Sequence, residues 1–307
     1  MTTVFIDGSA GTTGLRIRDR LADRKDLRLM ILPEDLRKDP SARADALNSA
    51  DISFLCLPDT ASIEAVSFVT DPHGVIIDTS TAHRTAEGWI YGMPELSGQR
   101  EKIALAKRIA NPGCHATGFI ALIAPLVENG LLSSDVRLSA FSLTGYSGGG
   151  KKMIAEYEVP DTDPLYRAPR QYGLVQTHKH LPEMSVVCGL QHAPVFCPIV
   201  APYYAGMEVT VPLTPADTSA SPEEIRKVYR DYYHSGLIRF AEAPDENGFL
   251  SAGAMAGRDS LEVSVFGNGE RILLISRFDN LGKGASGAAI QNMNIALGLD
   301  EAEGLVK

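Results

Sequence analysis

Cysteines are scarce in this 307-residue sequence, and the four present, at positions 56, 114, 188 and 197, form no C-x-x-C pair and no zinc-like spacing. The pattern therefore indicates neither a disulfide framework nor a metal site, and it suits a reducing compartment. Apolar runs are also short: none approaches the roughly 18 residues that cross a bilayer, and no basic leader with a cleavage site is evident. We therefore expect a soluble, cytoplasmic protein with no membrane partner.

Positive charge is in short supply as well. Lys and Arg number 29 against 38 Asp and Glu, which gives a formal net charge of −9. The basic residues form no cluster, so the sequence predicts no nucleic-acid partner. Hydrophobic residues make up 44% and charged residues 22%, near the averages of globular proteins, which predicts one large or two ordinary domains.

A glycine-rich turn lies close to the start of the chain. A short apolar strand pattern at 3–7 is followed by a G-x-x-G-x-x-G motif and then by a helical pattern at 15–21. A strand, a glycine turn and a helix start can bring backbone N–H groups towards a pyrophosphate. The candidate cofactor-binding residues are Gly8, Ser9, Ala10, Gly11, Thr12, Thr13 and Gly14. The spacing differs from the G-x-G-x-x-G of the best-known dinucleotide fingerprint, so an ordinary strand-to-helix turn is an equal alternative.

Further strand patterns alternate with helical ones, at 27–32, 51–58 and 74–78. This alternation predicts an α/β domain with a doubly wound, Rossmann-type parallel sheet. Ligands of such sheets bind beyond the carboxyl ends of the strands.

The residues after the second strand bear on the choice of cofactor. Acidic Glu34 and Asp35 are followed closely by basic Arg37 and Lys38. An acidic side chain suits a ribose hydroxyl, whereas a basic one suits the 2′-phosphate of NADP. Both kinds are present, so these residues alone leave the choice between NAD and NADP open.

The segment from Asp78 to Arg84 begins where the fourth strand ends, and it carries hydroxyls, a histidine and an arginine. Ser80, His83 and Arg84 are candidates to bind a carboxylate or phosphate, because a guanidinium offers a bidentate fork. A hydroxyl-rich turn with solvated charges is the alternative.

The strongest candidate for chemistry is Cys114, which follows the turn-forming run Asn111-Pro112-Gly113. An apolar pattern then extends to Asn129-Gly130, a pair typical of helix C-termini. We expect a loop that delivers the thiol to the first turn of a buried helix, where unpaired N–H groups and the helix dipole favour thiolate. A buried packing cysteine is the alternative, but the turn and the helix start favour a nucleophile.

Strand patterns of alternating type dominate the later chain, at 136–143, 195–200, 206–212 and 261–276, the last as a hairpin around Asn268-Gly269. We expect 195–200 and 206–212 to be adjacent, in a mixed, largely antiparallel sheet. Ser221 and Pro222 predict the start of a helix that ends at Tyr233. The glycines of 145–150 argue against a packed element there and allow a close approach to a ligand, with Lys151 beside them; a flexible linker is the alternative.

His178 and His180 form a second candidate site. Side chains two residues apart alternate on a strand or splay around a turn, so we expect the two rings not to face the same point. An imidazole has an unperturbed pKa of about 6.5, so one of them near Cys114 would serve as an acid/base. A surface pair is the alternative, and the absence of further ligands in a suitable spacing predicts no metal.

Together these motifs resemble those of the N-acetyl-γ-glutamyl-phosphate reductases, in the aspartate-semialdehyde dehydrogenase-like group. The motifs are Gly8-x-x-Gly11-x-x-Gly14, Asn111-Pro-Gly-Cys114, Ser147-Gly-Gly-Gly-Lys151, Thr177-His178-Lys-His180-x-Pro-Glu183 and Asp279-Asn-Leu-x-Lys-Gly-Ala-x-Gly287. They span nearly the whole chain, and its length is similar to that of the shorter of the family's two sequence types.

The resemblance implies NADPH-dependent reduction of N-acetyl-L-glutamyl 5-phosphate, a small acyl phosphate, to N-acetyl-L-glutamate 5-semialdehyde and phosphate in arginine biosynthesis. It implies Cys114 as the nucleophile and His178 or His180 as the acid/base. Ser147, Gly148 and Asn280 are further candidates for cofactor contacts. The anionic substrate calls for cations, for which Arg84, Lys151 and Arg167 are candidates.

The implied architecture is an NADP-binding Rossmann domain, residues 1–113 and 285–307, and a catalytic and oligomerisation domain, residues 114–284. The latter is similar to that of glyceraldehyde-3-phosphate dehydrogenase, and the implied assembly is a homodimer or homotetramer. Two alternatives stay open. A reductase of aspartyl or aminoadipyl phosphate would share the thioester chemistry, and a cysteine hydrolase or acyltransferase would use Cys114 and His180 without a nucleotide.

Overall fold

The computed structural model of the chain describes residues 1–234 and 236–307. The described residues form two compact units. The first comprises Met1–Pro112 and Ala285–Leu305, and the second comprises Gly113–Gly284 and Val306–Lys307. The first unit is therefore built from two separate stretches of chain.

The first unit is an α/β fold around a six-stranded sheet. Its strands are β1 (Thr2–Asp7), β2 (Leu27–Met30), β3 (Ile52–Leu55), β4 (Val75–Asp78), β5 (Ile90–Tyr91) and β6 (Arg108–Ala110). Its helices are α1 (Thr12–Leu21), α2 (Pro40–Ser49), α3 (Asp59–Ser67), α4 (Gln99–Leu105) and α9 (Gly287–Ala296). Every strand pair is parallel, in the order β2-β1-β3-β4-β6-β5, which confirms the predicted doubly wound sheet.

Helices cover this sheet on both faces, which is why its central strands are almost continuously apolar. On one face Ile6 packs in a cluster with Met293 of α9. On the other face Phe5 packs in a cluster with Leu47 of α2. Successive residues of β1 thus bury their side chains on opposite sides, as the pleat of a strand requires.

The carboxyl ends of four strands lie in one row. The register pairs Asp7 with Leu55, Leu55 with Asp78, and Asp78 with Ala110. The glycine turn, the segment from Thr79 to Arg84 and the Asn111-Pro112 turn therefore leave the sheet at the same edge. This is the edge at which parallel α/β sheets bind their ligands.

The second unit is organised around a seven-stranded mixed sheet in the order β11-β12-β13-β10-β7-β9-β8. Its strands are β7 (Ser139–Gly145), β8 (Arg170–Gln171), β9 (Val195–Ala201), β10 (Met207–Leu213), β11 (Ile238–Phe240), β12 (Leu261–Gly267) and β13 (Ile272–Phe278). Its helices are α5 (Cys114–Glu128), α6 (Gly150–Glu158), α7 (Leu181–Cys188) and α8 (Pro222–Tyr232), with 3₁₀ turns at Tyr146–Gly149 and Pro164–Arg167. A π-helical turn, Gly282–Ser286, precedes α9.

Helix α5 is buried along most of its length and packs against β10 and β13. Gly118 allows the close approach, because a Cβ there would lie 2.5 Å from Val209 Cγ2. Pro125 lies inside the helix and has no N–H to donate to the carbonyl of Ala121. The hydroxyl of Tyr233 donates to that carbonyl instead, at 2.7 Å, so the helix continues through the proline. Neither α5 nor any other helix of the described residues is long and apolar enough to span a membrane.

Two predictions for the second unit are wrong. β9 and β10 are not neighbours, because β7 lies between them, parallel to β9 and antiparallel to β10. Alternation identifies each strand but carries no information on the order of strands in the sheet. The glycine-rich segment is also a regular element: it forms a 3₁₀ turn, Tyr146–Gly149, and the start of α6, although Gly148 and Gly149 are exposed. A Cβ at Gly145 would lie 2.4 Å from the carbonyl oxygen of Tyr204, so this glycine serves close packing.

Candidate active site

The glycine turn of the first unit packs too closely for side chains at two of its positions. Gly8 has φ +84°, and a Cβ there would lie 2.3 Å from the carbonyl oxygen of Cys56. A Cβ at Gly14 would lie 2.4 Å from the carbonyl oxygen of Gly8. Only glycine fits at either position, and α1 begins at Thr12 directly after the turn. The glycines therefore let the turn fold closely against its own backbone and Cys56, and the N–H groups at the start of α1 are a candidate site for a phosphate.

A cavity of about 170 Å³ opens beside this turn. Its lining consists of Phe5, Ile6, Asp7, Gly8, Ser9, Ala10, Leu32, Arg37, Lys38 and Leu57. The lining includes both basic residues that follow β2 and neither of the acidic ones. Glu34 is largely exposed and pairs with Arg37 at 3.0 Å. The cavity thus combines a glycine turn with two basic side chains and the carboxylate of Asp7.

Asp78, at the end of β4, is buried and forms hydrogen bonds with several neighbouring side chains. Its carboxylate accepts hydrogen bonds from the hydroxyls of Ser62, at 2.9 Å, and Ser80, at 2.7 Å. Nδ1 of His83 lies 2.6 Å from the same carboxylate, so Nδ1 carries a proton and Nε2 points away from Asp78. The ring of His83 stacks on Trp89 with a centroid distance of 4.1 Å. Ser80 and His83 are thus held by Asp78, and His83 keeps one nitrogen directed elsewhere.

Arg84 links the segment that follows β4 to Asn111, in the turn before the cysteine. Its Nε donates to the carbonyl oxygen of Asn111 at 3.0 Å, and its Nη2 donates to that of Thr79 at 3.2 Å. Through these hydrogen bonds Arg84 connects the backbone segments that follow the carboxyl ends of β4 and β6.

Cys114 is the first residue of α5 in the second unit, as predicted, and its side chain is partly exposed. Gly113 is the N-cap, and glycine has no side chain to accept from the first-turn N–H groups. The carbonyl of Gly113 accepts from both the N–H and the hydroxyl of Thr117. A Cβ at Gly284 would lie 2.9 Å from Cβ of Cys114, so this glycine leaves space beside the thiol residue.

His115, next to Cys114, is buried and bonded through both ring nitrogens. Nδ1 lies 2.7 Å from Oγ of Ser142, and Nε2 lies 2.6 Å from the hydroxyl of Tyr172. Burial, together with His178 nearby, lowers the pKa of His115 to about 3. The ring is therefore neutral at physiological pH and serves as a fixed support.

His178 and His180 do approach one another, contrary to the expectation from their spacing. Their ring centroids are 4.8 Å apart, and each lies within 6 Å of the ring centroid of His115. The backbone N–H of His180 donates to Nδ1 of His178, which closes a tight turn before α7. The turn folds both rings to the same side, so the imidazoles of His178 and His180 form a cluster of three with that of His115, the residue after the thiol.

Sequence reasoning assigned no role to Glu183, although it belongs to the same motif. Its side chain is 1% exposed, and its carboxylate accepts the backbone N–H of Gly113 at 3.2 Å. Nε2 of His180 lies 3.8 Å from the other carboxylate oxygen. The signal available in the sequence was a glutamate three residues after a histidine, at the start of a helix.

Asn280 joins two glycine-containing segments of the second unit. Its Nδ2 donates to Oγ of Ser147 at 3.0 Å, and its Oδ1 accepts the N–H of Gly206 at 3.0 Å. Gly148 lies beside the same amide.

Lys151 and Arg167 are exposed, on α6 and at the end of the second 3₁₀ turn. Within 1–234 and 236–307, no group of three or more His, Cys, Asp or Glu side chains could hold a metal ion.

Comparison with known proteins identifies the family. The model of the semialdehyde dehydrogenase dimerisation domain matches residues 114–280, and that of the semialdehyde dehydrogenase NAD binding domain matches residues 23–106. The N-acetyl-gamma-glutamyl-phosphate reductase 2 of Nostoc sp. is 44% identical, and the N-acetyl-gamma-glutamyl-phosphate reductase of Burkholderia cenocepacia is 46% identical. Each match covers 98% of this chain and 98% of the relative.

Solved structures agree on the fold. The aspartate semialdehyde dehydrogenase II of Vibrio cholerae, in complex with ASA, superposes with a TM-score of 0.73 at 16% identity, over 97% of this chain and 98% of that one. The aspartate semialdehyde dehydrogenase of Candida albicans, with NADP, gives 0.69 at 16% identity, over 96% and 98%. The predicted fold class, a Rossmann-type sheet plus a mixed-sheet domain, is confirmed. Because its relatives are 44–46% identical over nearly their whole length, the chain belongs to the N-acetyl-gamma-glutamyl-phosphate reductases, within the semialdehyde dehydrogenase family.

Proposed function

We propose that this chain converts N-acetyl-L-glutamyl 5-phosphate, NADPH and a proton into N-acetyl-L-glutamate 5-semialdehyde, phosphate and NADP⁺, in the cytoplasm, as a step of arginine biosynthesis. The observation that carries the proposal is the position of Cys114 at the start of α5, in the same unit as the cluster of His115, His178 and His180. The identity to reductases of this name supports the choice of substrate.

The chemistry follows from the thiol. An acyl phosphate has a good leaving group, so the thiolate Sγ of Cys114 attacks the carbonyl carbon, the new C–S bond forms, and the C–O bond to phosphate breaks. The departing phosphate takes up the one proton that the overall reaction consumes. Bound NADPH supplies the hydride that reduces the resulting thioester. An imidazolium beside the thiohemiacetal protonates its oxygen, and takes the proton back when the C–S bond breaks. This last step releases the aldehyde and returns the thiolate.

We assign the acid/base role to His180. Both nitrogens of His115 are engaged and its ring is neutral, and Nδ1 of His178 accepts the N–H of His180. His180 lies beside Glu183, whose carboxylate also holds the residue before the thiol. A carboxylate next to an imidazole fixes its orientation and stabilises its charged form.

We assign cofactor binding to the first unit, and thiol chemistry and self-association to the second. The two cations of the cavity, Arg37 and Lys38, favour NADP over NAD. The affinity of the protein for NADPH and for NADH can each be measured by the fluorescence of the bound dihydronicotinamide. NADPH should bind more tightly than NADH, and replacing both cations with Ala should remove the difference.

The anionic substrate contacts are assigned to Ser80, His83, Arg84, Lys151 and Arg167. His83 allows a sharp test, because asparagine places a donor where Nδ1 meets Asp78 but has no atom at the position of Nε2. If Nε2 binds substrate, His83→Asn raises KM for the acyl phosphate. An unchanged KM would remove His83 from the substrate site.

We also propose a homodimer or homotetramer that forms through the sheet of the second unit. Phe141, Val195 and Leu273 are 43%, 57% and 39% exposed. The register places them on one face, opposite to that packed on α5, because Phe141 pairs with Thr210 and Leu273 pairs with Pro212. Exposed apolar residues on one sheet face are typical of a self-association surface.

The decisive assay runs the reaction backwards, with N-acetylglutamate 5-semialdehyde, phosphate and NADP⁺. Phosphate-dependent formation of NADPH is expected, and none should form with Cys114→Ser, whereas Cys197→Ser serves as the matched control. Faster turnover of aspartate or aminoadipate semialdehyde would favour a related reductase. Acyl-group hydrolysis without nucleotide binding would favour the cysteine hydrolase.

A further inference from the structure

The cavity beside the glycine turn contains a carboxylate where phosphate is expected to bind. Asp7, the last residue of β1, lines the cavity with Gly8, Arg37 and Lys38, and it is only 3% exposed. Burial raises its pKa, against the opposing effect of Arg43. An uncompensated negative charge in this wall would repel a bound phosphate.

Arg43 supplies the compensating charge from the second turn of α2. Its Nε lies 3.0 Å from Oδ2 of Asp7, and its Nη1 lies 2.8 Å from Oε2 of Glu64. Its Nη2 donates to the carbonyl of Ala61, and the guanidinium lies over the ring of Phe68 at 5.4 Å. The side chain is 7% exposed, and these contacts restrict its conformation.

The same arginine is coupled through the backbone to the two cations of the cavity. Asp39 caps α2 by accepting the N–H of Ala42 at 2.8 Å, and its carbonyl accepts the N–H of Arg43 at 3.0 Å. Arg37 and Lys38 directly precede this cap. Arg43 attaches the beginning of α2 to Asp7. It therefore also restrains the backbone position of Arg37 and Lys38, which precede the helix.

We propose that Arg43 is a positioning residue for a 2′-phosphorylated dinucleotide. It neutralises Asp7 in the cavity wall and anchors α2 so that Arg37 and Lys38 face the cavity. The inference rests on the proposed function, since it deepens the assignment of NADPH to this cavity.

The test measures the dissociation constants of NADPH and NADH with the full-length protein. Arg43→Met should weaken NADPH binding about tenfold or more, and NADH binding less, because an unpaired carboxylate repels the extra phosphate. Asp7→Asn combined with Arg43→Met should recover most of the loss. Arg18→Met, which removes an exposed arginine of α1 and changes the net charge equally, should alter neither constant.

Each outcome decides the question. Equal losses for both nucleotides, or a double variant that binds NADPH no better than Arg43→Met, would overturn the inference and assign Arg43 a purely structural role. If Arg43→Met does not fold, Asp7→Asn alone decides, because it should retain or strengthen the preference for NADPH, and a weaker preference would contradict the inference. Failure of the unmodified protein to bind either nucleotide would instead sink the proposed function.

Discussion

The buried carboxylate of Glu183 accepts a hydrogen bond from the backbone N–H of Gly113, the residue immediately before Cys114. Its other oxygen lies 3.8 Å from Nε2 of His180. One side chain of α7 therefore supports the turn that delivers the thiol and lies beside the imidazole assigned to proton transfer. A buried side chain that contacts the residues next to a reacting group restricts the position of that group more than a loop alone would.

Replacement of Glu183 should therefore lower turnover without weakening substrate binding. Glu183→Gln keeps an oxygen that can accept from Gly113 but loses the charge beside His180, and we expect kcat to fall about 10- to 100-fold with KM nearly unchanged. Glu183→Ala should also lower the free energy of unfolding by about 1–3 kcal/mol, because a buried N–H loses its acceptor. Steady-state kinetics and urea denaturation measure the two effects. Wild-type kcat in Glu183→Gln would show that the carboxylate does not act on the site.

The two neighbouring histidines should differ in their effect on rate. His180→Asn removes the proposed acid/base, and a loss in kcat of about 10²- to 10⁴-fold is expected. His178→Asn places an amide oxygen where Nδ1 accepts the N–H of His180, so the turn is retained and kcat should stay within about tenfold of wild type. Steady-state rates of the two variants, with circular dichroism as the control for folding, make the comparison. A larger loss in His178→Asn than in His180→Asn would reverse the assignment.

The exposed sheet face of the second unit should hold subunits together. Phe141→Glu introduces a charge at the centre of that face, and burial of an unpaired charge in an interface is strongly unfavourable. We expect light scattering to show a smaller assembly than for the wild type. Leu105→Glu is the matched control, since Leu105 is 84% exposed on α4 of the other unit. An unchanged assembly in Phe141→Glu would place the interface elsewhere.

The first unit could be predicted well because its signals are local. Glycines at 8, 11 and 14 and the apolar strands identify the turn and the sheet. A local signal of the same kind, the Asn-Pro-Gly turn, predicts that α5 of the second unit begins at Cys114, as it does. The sequence pattern does not identify helix α2, because its apolar residues show almost no helical periodicity and the Asp39 cap is its main local signal. Helix α7 was missed because Pro182 and two histidines resemble a turn, and the helix starts only at Leu181.

The candidate residues of the site can be named individually from the sequence, but their arrangement cannot. Spacing predicts that His178 and His180 diverge, whereas a tight turn folds both rings towards His115. The contact between Glu183 and Gly113 joins residues 70 positions apart, which a single sequence does not reveal. Tertiary packing decides such contacts, and local patterns carry no information about it.

His115 should make the folded state sensitive to acid. Burial lowers its pKa from the ordinary value of 6.5 to about 3, so between these values the unfolded chain binds a proton that the folded protein does not. This contribution to stability is complete above pH 6.5 and is lost as the pH falls towards 3, by up to about 1.4 kcal/mol per pH unit. His115→Asn does not titrate, so its free energy of unfolding, measured by urea denaturation from pH 4 to 7, should fall less steeply with acid than that of the wild type. Parallel pH profiles for the two proteins would mean that His115 is protonated in the fold, and its role as a neutral support would be wrong.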